Sequence, residues 1–108
     1  MRSDRVRIED ILDAAEKIGT RLADSFEGFY SDEMLQVWVI HYLQVIGEAA
    51  RALSPSFREQ HPSIPWQKTI ALRNILIHEY FGIDMSQVWT MTREDLPRLV
   101  EELRKIRL

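Results

Sequence analysis

Apolar residues return every three or four positions along most of this chain, the spacing that lines one face of an α-helix. Ile8, Ile11, Leu12, Ala15, Ile18 and Leu22 make the first such stripe and predict a helix from Ser3 or Asp4 to about Asp24. Phe26-Glu27-Gly28-Phe29-Tyr30 reads as a connection. Ser31 or Asp32 can cap a second helix by accepting hydrogen bonds from its free first-turn amides. Ser54-Pro55 ends that helix near Leu53, because the residue before a proline is pushed out of the α region. A loop from Ser54 to Ile64 follows, with room for one short turn, broken by Pro55, Pro62 and Pro65. Pro65 suits the opening of a third helix, since its fixed φ and missing N–H cost nothing there; that helix is expected to end near Phe81-Gly82. Asp84-Met85-Ser86-Gln87 has the form of a capping box and opens a last helical region reaching about Ile106. Pro97 lies inside that region and predicts a kink or short break between Met91 and Pro97. No stretch alternates apolar and polar residues as a half-buried strand would. The expectation is an all-α, up-and-down bundle of four to five helices, with residues 1–108 forming one domain.

The second helix departs from the single stripe. Met34, Leu35, Val37, Trp38, Val39, Ile40, Tyr42, Leu43, Val45 and Ile46 surround most of it, and a helix apolar all round is buried on more than one side. In a chain of 108 residues, the second burying surface is read as another copy, giving a homodimer. A central helix packed only by its own neighbours would carry the same pattern.

The absence of cysteine removes disulfide frameworks and thiolate chemistry, and it suits a reducing compartment. No run approaches the roughly 20 apolar residues of a membrane span, and the N-terminus turns acidic at Glu9 and Asp10 where a signal peptide would turn apolar. A cytoplasmic protein with no membrane contact is expected. The net charge of −3 argues against nonspecific coating of nucleic acid. Its distribution is uneven: residues 51–78 carry 4 basic groups (Arg51, Arg58, Lys68 and Arg73) against 1 acidic group. Such a middle third could receive a phosphate, although a chance fluctuation would look the same.

The third helix carries the string Arg73-Asn74-Ile75-Leu76-Ile77-His78-Glu79-Tyr80. At about 100° per residue, with Arg73 at zero, Asn74 falls near 100°, His78 near 140° and Tyr80 near −20°. Leu72, Ile75 and Leu76 fall on the other side and are expected to face the core. Histidine gives and takes protons near neutrality. Arginine presents a planar fork of donors to phosphate oxygens, and Asn74 stands one turn from His78, within reach to orient it. The three histidines are scattered and no acidic cluster joins them, so no metal site is expected. These parts suit RNA cleavage by attack of the neighbouring 2′-OH, leaving a 2′,3′-cyclic phosphate. Such a reaction needs a base, an acid and a phosphate clamp, but no cofactor. One chain offers one His78 in this string, whereas a two-fold dimer pairing the third helices would offer two.

A longer set of anchors is more specific than this string alone. Ile46-Gly47-Glu48-Ala49-Ala50-Arg51, Pro62-Ser63-Ile64-Pro65-Trp66, Arg73 through Asp84, and Val88-Trp89 closely resemble, in order and spacing, the HepT-like subfamily of HEPN proteins. The family's R-x4-H-x-Y signature is met by Arg73, His78 and Tyr80, and the likeness covers nearly the whole chain. The resemblance implies a homodimeric HEPN-like bundle and a metal-independent endoribonuclease, the toxin of a type VII-like toxin–antitoxin pair. It further implies a cognate MntA-like minimal nucleotidyltransferase antitoxin that silences the toxin by transferring AMP to Tyr80. Tyr80 lies close to the Arg73 stripe, so bulky anionic AMP there would obstruct the phosphate route and repel RNA.

Beside Arg73 and His78, Asn74 and Glu48 are read as supporting residues, although Glu48 could equally serve the surface or helix pairing. Arg51 and Lys68 are read as RNA-binding, with Arg58 a further cation able to steer phosphates. Trp38 and Trp66 are read as core rather than base-stacking platforms, and His41 and His61 as structural or solvent-facing. The competing reading is a noncatalytic HEPN subunit that binds a nucleotide or a partner nucleotidyltransferase. A purely structural dimeric bundle is the third.

Overall fold

The computed structural model describes residues 3–78 and 84–106; the side chains of 74–78 lie outside this description. Its elements are α1 (Asp4–Arg21), α2 (Phe26–Tyr30), α3 (Glu33–Ala52), α4 (Pro55–Gln60), α5 (Trp66–His78), α6 (Met85–Thr90), a π-turn (Met91–Asp95) and α7 (Leu96–Arg104). The last three run on without a break. The all-helical class therefore holds, with no strand among the described residues, and two short helices add to the expected number. The expected end of α5 at Phe81-Gly82 falls outside the described residues.

Side-chain caps set where the helices begin. Ser3 accepts from the Val6 amide, Ser25 from Gly28 and Asp32 from Leu35, each satisfying a first-turn donor with no partner inside the helix. The expected connection after Asp24 is helical because Ser25 caps it and because Phe29, 0% exposed, drives it inward. Burying one such ring contributes about 2–3 kcal/mol, which offsets part of the entropy cost of ordering the turn. Gln36 fastens the end of α2 by donating from Nε2 to the carbonyls of Phe29 and Tyr30, at 3.0 and 2.8 Å.

Ser54-Pro55 ends α3, and the same pair starts α4. The Ser54 hydroxyl accepts from the Phe57 amide at 3.2 Å, and Pro55 occupies the first turn, where its missing N–H is harmless. A short helix thus stands where a loop was expected. Ser54 also reaches α1: its amide and hydroxyl donate to the two carboxylate oxygens of Asp4, at 2.9 and 2.7 Å.

Farther along the same seam, the Lys17 ammonium lies 5.4 Å from the Tyr42 ring centre and the Arg21 guanidinium 5.7 Å from that of Trp38. Rising numbers on α1 meet falling numbers on α3, so the two helices are antiparallel. Between them lies the core: Ile8, Ile11, Ala14, Ala15 and Ile18 of α1 pack with Val39, Leu43, Ile46 and Ala50 of α3. Leu96, Leu99 and Leu103 of α7 join the same cluster.

The break expected between Met91 and Pro97 takes the form of the π-turn. A proline ring collides with the carbonyl four residues back in a regular α-turn, and the wider turn before Pro97 makes room for it. Asp84 caps α6, its side chain accepting from the amide and hydroxyl of Ser86, at 2.9 and 2.6 Å. No helix among the described residues is long and apolar enough to cross a membrane.

Candidate active site

The site grows from the contact between α3 and α5. Gly47, in the C-terminal half of α3, has no turn to make; a Cβ added to it would lie 2.8 Å from the Arg73 amide nitrogen and 3.0 Å from the Arg73 Cβ. Only glycine lets the α5 backbone come this near. One residue on, Glu48 projects from the same turn of α3 and its carboxylate oxygen accepts from Nε of Arg73. The fork of the guanidinium is thereby set from behind, and the Arg73 side chain remains 29% exposed. Glu48 thus pairs with Arg73 across the α3–α5 seam.

One sequence expectation needs correction. The helical wheel turned Leu72, Ile75 and Leu76 to the core and Arg73 away from it. In the structure, Trp66 and Thr69 are buried at 6% and 5% exposure, and the Arg73 backbone packs on Gly47. Positions 66, 69 and 73 lie along one α5 stripe, so the Arg73 stripe itself faces α3. Leu72 is half-buried beside the core, whereas the side chains of Ile75 and Leu76 lie outside the described residues. The arginine thus starts inside a seam and reaches out of it.

The remaining site residues divide clearly. His78 closes the described part of α5, but its side chain and that of Asn74 lie outside the described residues, as does all of Tyr80. Arg51 is exposed in the last turn of α3. Lys68 reaches toward Asp95 at 3.7 Å from a side chain 70% exposed, too open to the solvent for the pair to add much stability. Trp66 is core as read, its indole N–H donating to the His61 carbonyl at 3.0 Å. Trp38 is half-buried and meets Tyr42 edge-on at 4.9 Å. His41 is exposed against Tyr42 and His61 packs on Phe57, in keeping with their structural or solvent-facing reading. Among the described residues, no three His, Cys, Asp or Glu side chains group to hold a metal ion.

Gly47 is the site residue that sequence reasoning did not single out. A glycine inside a long helical pattern costs about 1 kcal/mol against alanine, and that unexplained cost was the available signal.

A family model described as "Ribonuclease HepT-like" matches residues 11–106. A protein of Methanocaldococcus jannaschii named "Putative RNase MJ1380" is 40% identical over 95 residues, covering 87% of each chain. The "Probable ribonuclease HepT" of Thermococcus cleftensis is 38% identical over 107 residues, 98% of this chain and 97% of that one. A "Putative RNase TTE0752" of Caldanaerobacter subterraneus subsp. tengcongensis is 35% identical over 107 residues, 98% and 96% of the two chains. No solved structure matches the chain. The match runs from within α1 through the Gly47–Glu48–Arg73 seam to the end of α7, and by it this chain belongs to the HepT-like ribonuclease family.

Proposed function

We propose that this chain is a metal-independent endoribonuclease that works as a homodimer, the toxin of a toxin–antitoxin pair. The observation that carries this reading is Arg73, seated against Gly47 and oriented by Glu48, at the arginine position of an R-x4-H-x-Y string in a HepT-like chain. In the proposed reaction the substrate 2′-OH attacks the adjacent phosphorus as the His78 imidazole of one protomer takes its proton. The bond from phosphorus to the 5′-oxygen breaks, and the His78 imidazolium of the other protomer protonates that oxygen. The products are a 2′,3′-cyclic phosphate and a free 5′-hydroxyl. The two Arg73 guanidiniums hold the phosphate oxygens and their growing charge.

The outer face of α3 supports the dimer. Met34, Val37, His41, Val45 and Glu48 fall within about 80° of one another around the helix. Met34 and Val37 are 84% and 59% exposed, and the stripe ends at the residue that holds Arg73. A second copy seated there would meet the first beside the arginine, supplying the second histidine that acid–base cleavage needs. Tyr80 is the proposed acceptor of AMP from a cognate MntA-like nucleotidyltransferase, which would block the same phosphate route.

The test is RNA cleavage by purified, unmodified protein in excess EDTA, run beside His78→Ala, with the product ends identified. Cleavage by the parent alone, leaving cyclic phosphate, is the expected result. Failure of the parent, shown to lack AMP on Tyr80, to cut any RNA would move the assignment to a noncatalytic binding subunit. Equal cleavage by both proteins would remove His78 from the chemistry.

A further inference from the structure

An open groove of about 620 Å³ lies between α4 and the start of α5, lined by Pro55, Arg58, Ile64, Trp66, Gln67 and Lys68 among others. Arg73 is not among its lining residues, so the groove is distinct from the site above. Its volume falls in the range of about 300–1,000 Å³ usual for small-molecule sites. Two kinds of surface meet in it. Pro55 and Pro65 supply apolar wall, with only the edges of the buried Ile64 and Trp66 reaching it; Arg58, Gln67 and Lys68 supply hydrogen-bond donors.

The donors have capacity to spare. Nε of Arg58 is buried with no hydrogen-bond partner, a condition that native proteins seldom leave unexplained. The Lys68 ammonium leans on Asp95 only at 3.7 Å and is largely exposed, so an incoming anion can take it over. Glu59 also lines the groove and is the 1 acidic residue of the basic stretch 51–78. Its carboxylate disfavours a run of several phosphates. Apolar wall beside a few cationic donors is the combination that holds an unpaired nucleotide, its base against the wall and its phosphate on the cations.

We propose that this groove is a second RNA subsite, taking one unpaired nucleotide of the substrate outside the Arg73 centre. The proposal rests on the ribonuclease reading for its substrate class. It adds that single-stranded RNA long enough to reach both places binds better than RNA that reaches only one.

The experiment compares the parent protein with Arg58→Ala, Arg58→Lys and Lys68→Ala on a single-stranded 12-nucleotide RNA and on a trinucleotide. Both cleavage kinetics and fluorescence anisotropy are followed. On the long RNA, loss of either cation is expected to raise KM and the dissociation constant about fivefold, the scale of one weakened charge-assisted contact. The loss falls on KM rather than kcat, Arg58→Lys recovers part of it, and the trinucleotide shows no difference. Unchanged KM and binding in both alanine variants overturns the subsite, as does an equal loss on both RNAs, which would be a general charge effect. If the parent cuts neither RNA, the ribonuclease reading falls. Anisotropy with the 12-nucleotide RNA then decides the groove alone: weaker binding by the variants supports it and unchanged binding overturns it. Should Arg58→Ala fail to fold, Lys68→Ala and Gln67→Ala, both at exposed positions, carry the same comparison.

Discussion

Gly47 and Arg73 touch backbone to backbone: a methyl group on the glycine would sit 2.8 Å from the arginine amide nitrogen and 3.3 Å from its Cα. Neither atom can swing aside as the end of a side chain could. Two opposing effects act on Gly47→Ala. Alanine gains about 1 kcal/mol of helix propensity over glycine, while forcing volume into a packed seam costs about 1–3 kcal/mol. Because the obstacle is backbone, the clash wins. Gly47→Ala is expected to lower stability by about 1 kcal/mol and cut RNA cleavage more than tenfold, by moving α5 away from Glu48. Denaturant unfolding and cleavage rates check both, and a variant of unchanged stability and activity would show that the seam yields freely.

Glu48 is 49% exposed, so its pairing with Arg73 contributes little to folding, about 0–1 kcal/mol. Its value is geometric. Glu48→Ala is expected to melt within a few degrees of the parent and to lose cleavage by about tenfold, with Glu48→Gln in between because the amide oxygen still accepts from Nε. A full-rate Glu48→Ala would mean that Arg73 is aimed by something else.

Asp4 ties α1 to the junction of α3 and α4. Its two hydrogen bonds from Ser54, the backbone one first, hold its carboxyl below the usual carboxylate range. A carboxyl depressed on folding contributes stability that is present above its unfolded value and is lost as pH falls through its folded value. Asp4→Asn should therefore be less stable than the parent at pH 7, with the gap closing as the pH is lowered through the acid range. Melting temperatures at a series of pH values measure this; a gap independent of pH would assign the effect to packing alone.

The outer stripe of α3 is open to a direct test. Met34 and Val37 make little contact with the core, so Met34→Glu and Val37→Glu should leave the melting temperature of the folded chain nearly unchanged. Charges there should nevertheless separate the proposed dimer and abolish cleavage with it. Light scattering during size exclusion reports the mass. A double variant that remains dimeric would place the contact between copies elsewhere.

Most of the fold could be read from the chain because its signals are local. Ser3 and Asp32 start their helices as capping residues, Ser54-Pro55 stops one, and the period of Ile8, Ile11, Ala15 and Ile18 marks a buried face. The short helices α2 and α4 were harder to see, since five or six residues hold too little pattern and depend on single anchors, Phe29 and Phe57. The orientation of α5 was misread for a related reason. Polarity placed the Arg73 stripe outward, but the element that decides the packing is a hydrogen atom in place of a side chain on another helix. The arginine could be picked out from the string it stands in; the glycine beneath it gains its meaning only from the fold.

The π-turn has a consequence for how the length of this chain can vary. Val88, Thr92, Leu96, Leu99 and Leu103 are the buried positions from α6 to α7, and they step by four, four, three and four residues. Four regular turns hold about 14.4 residues, slightly fewer than that series spans, and the wide turn takes up the excess. The segment is thus an insertion already absorbed. Removing Arg93 or Glu94 would let it relax to a plain α-turn with the three leucines still facing inward. The same deletion within α7 would rotate every residue after it by about 100° and take Leu103 out of the core. The helix thus has one place where the chain can change length without changing shape.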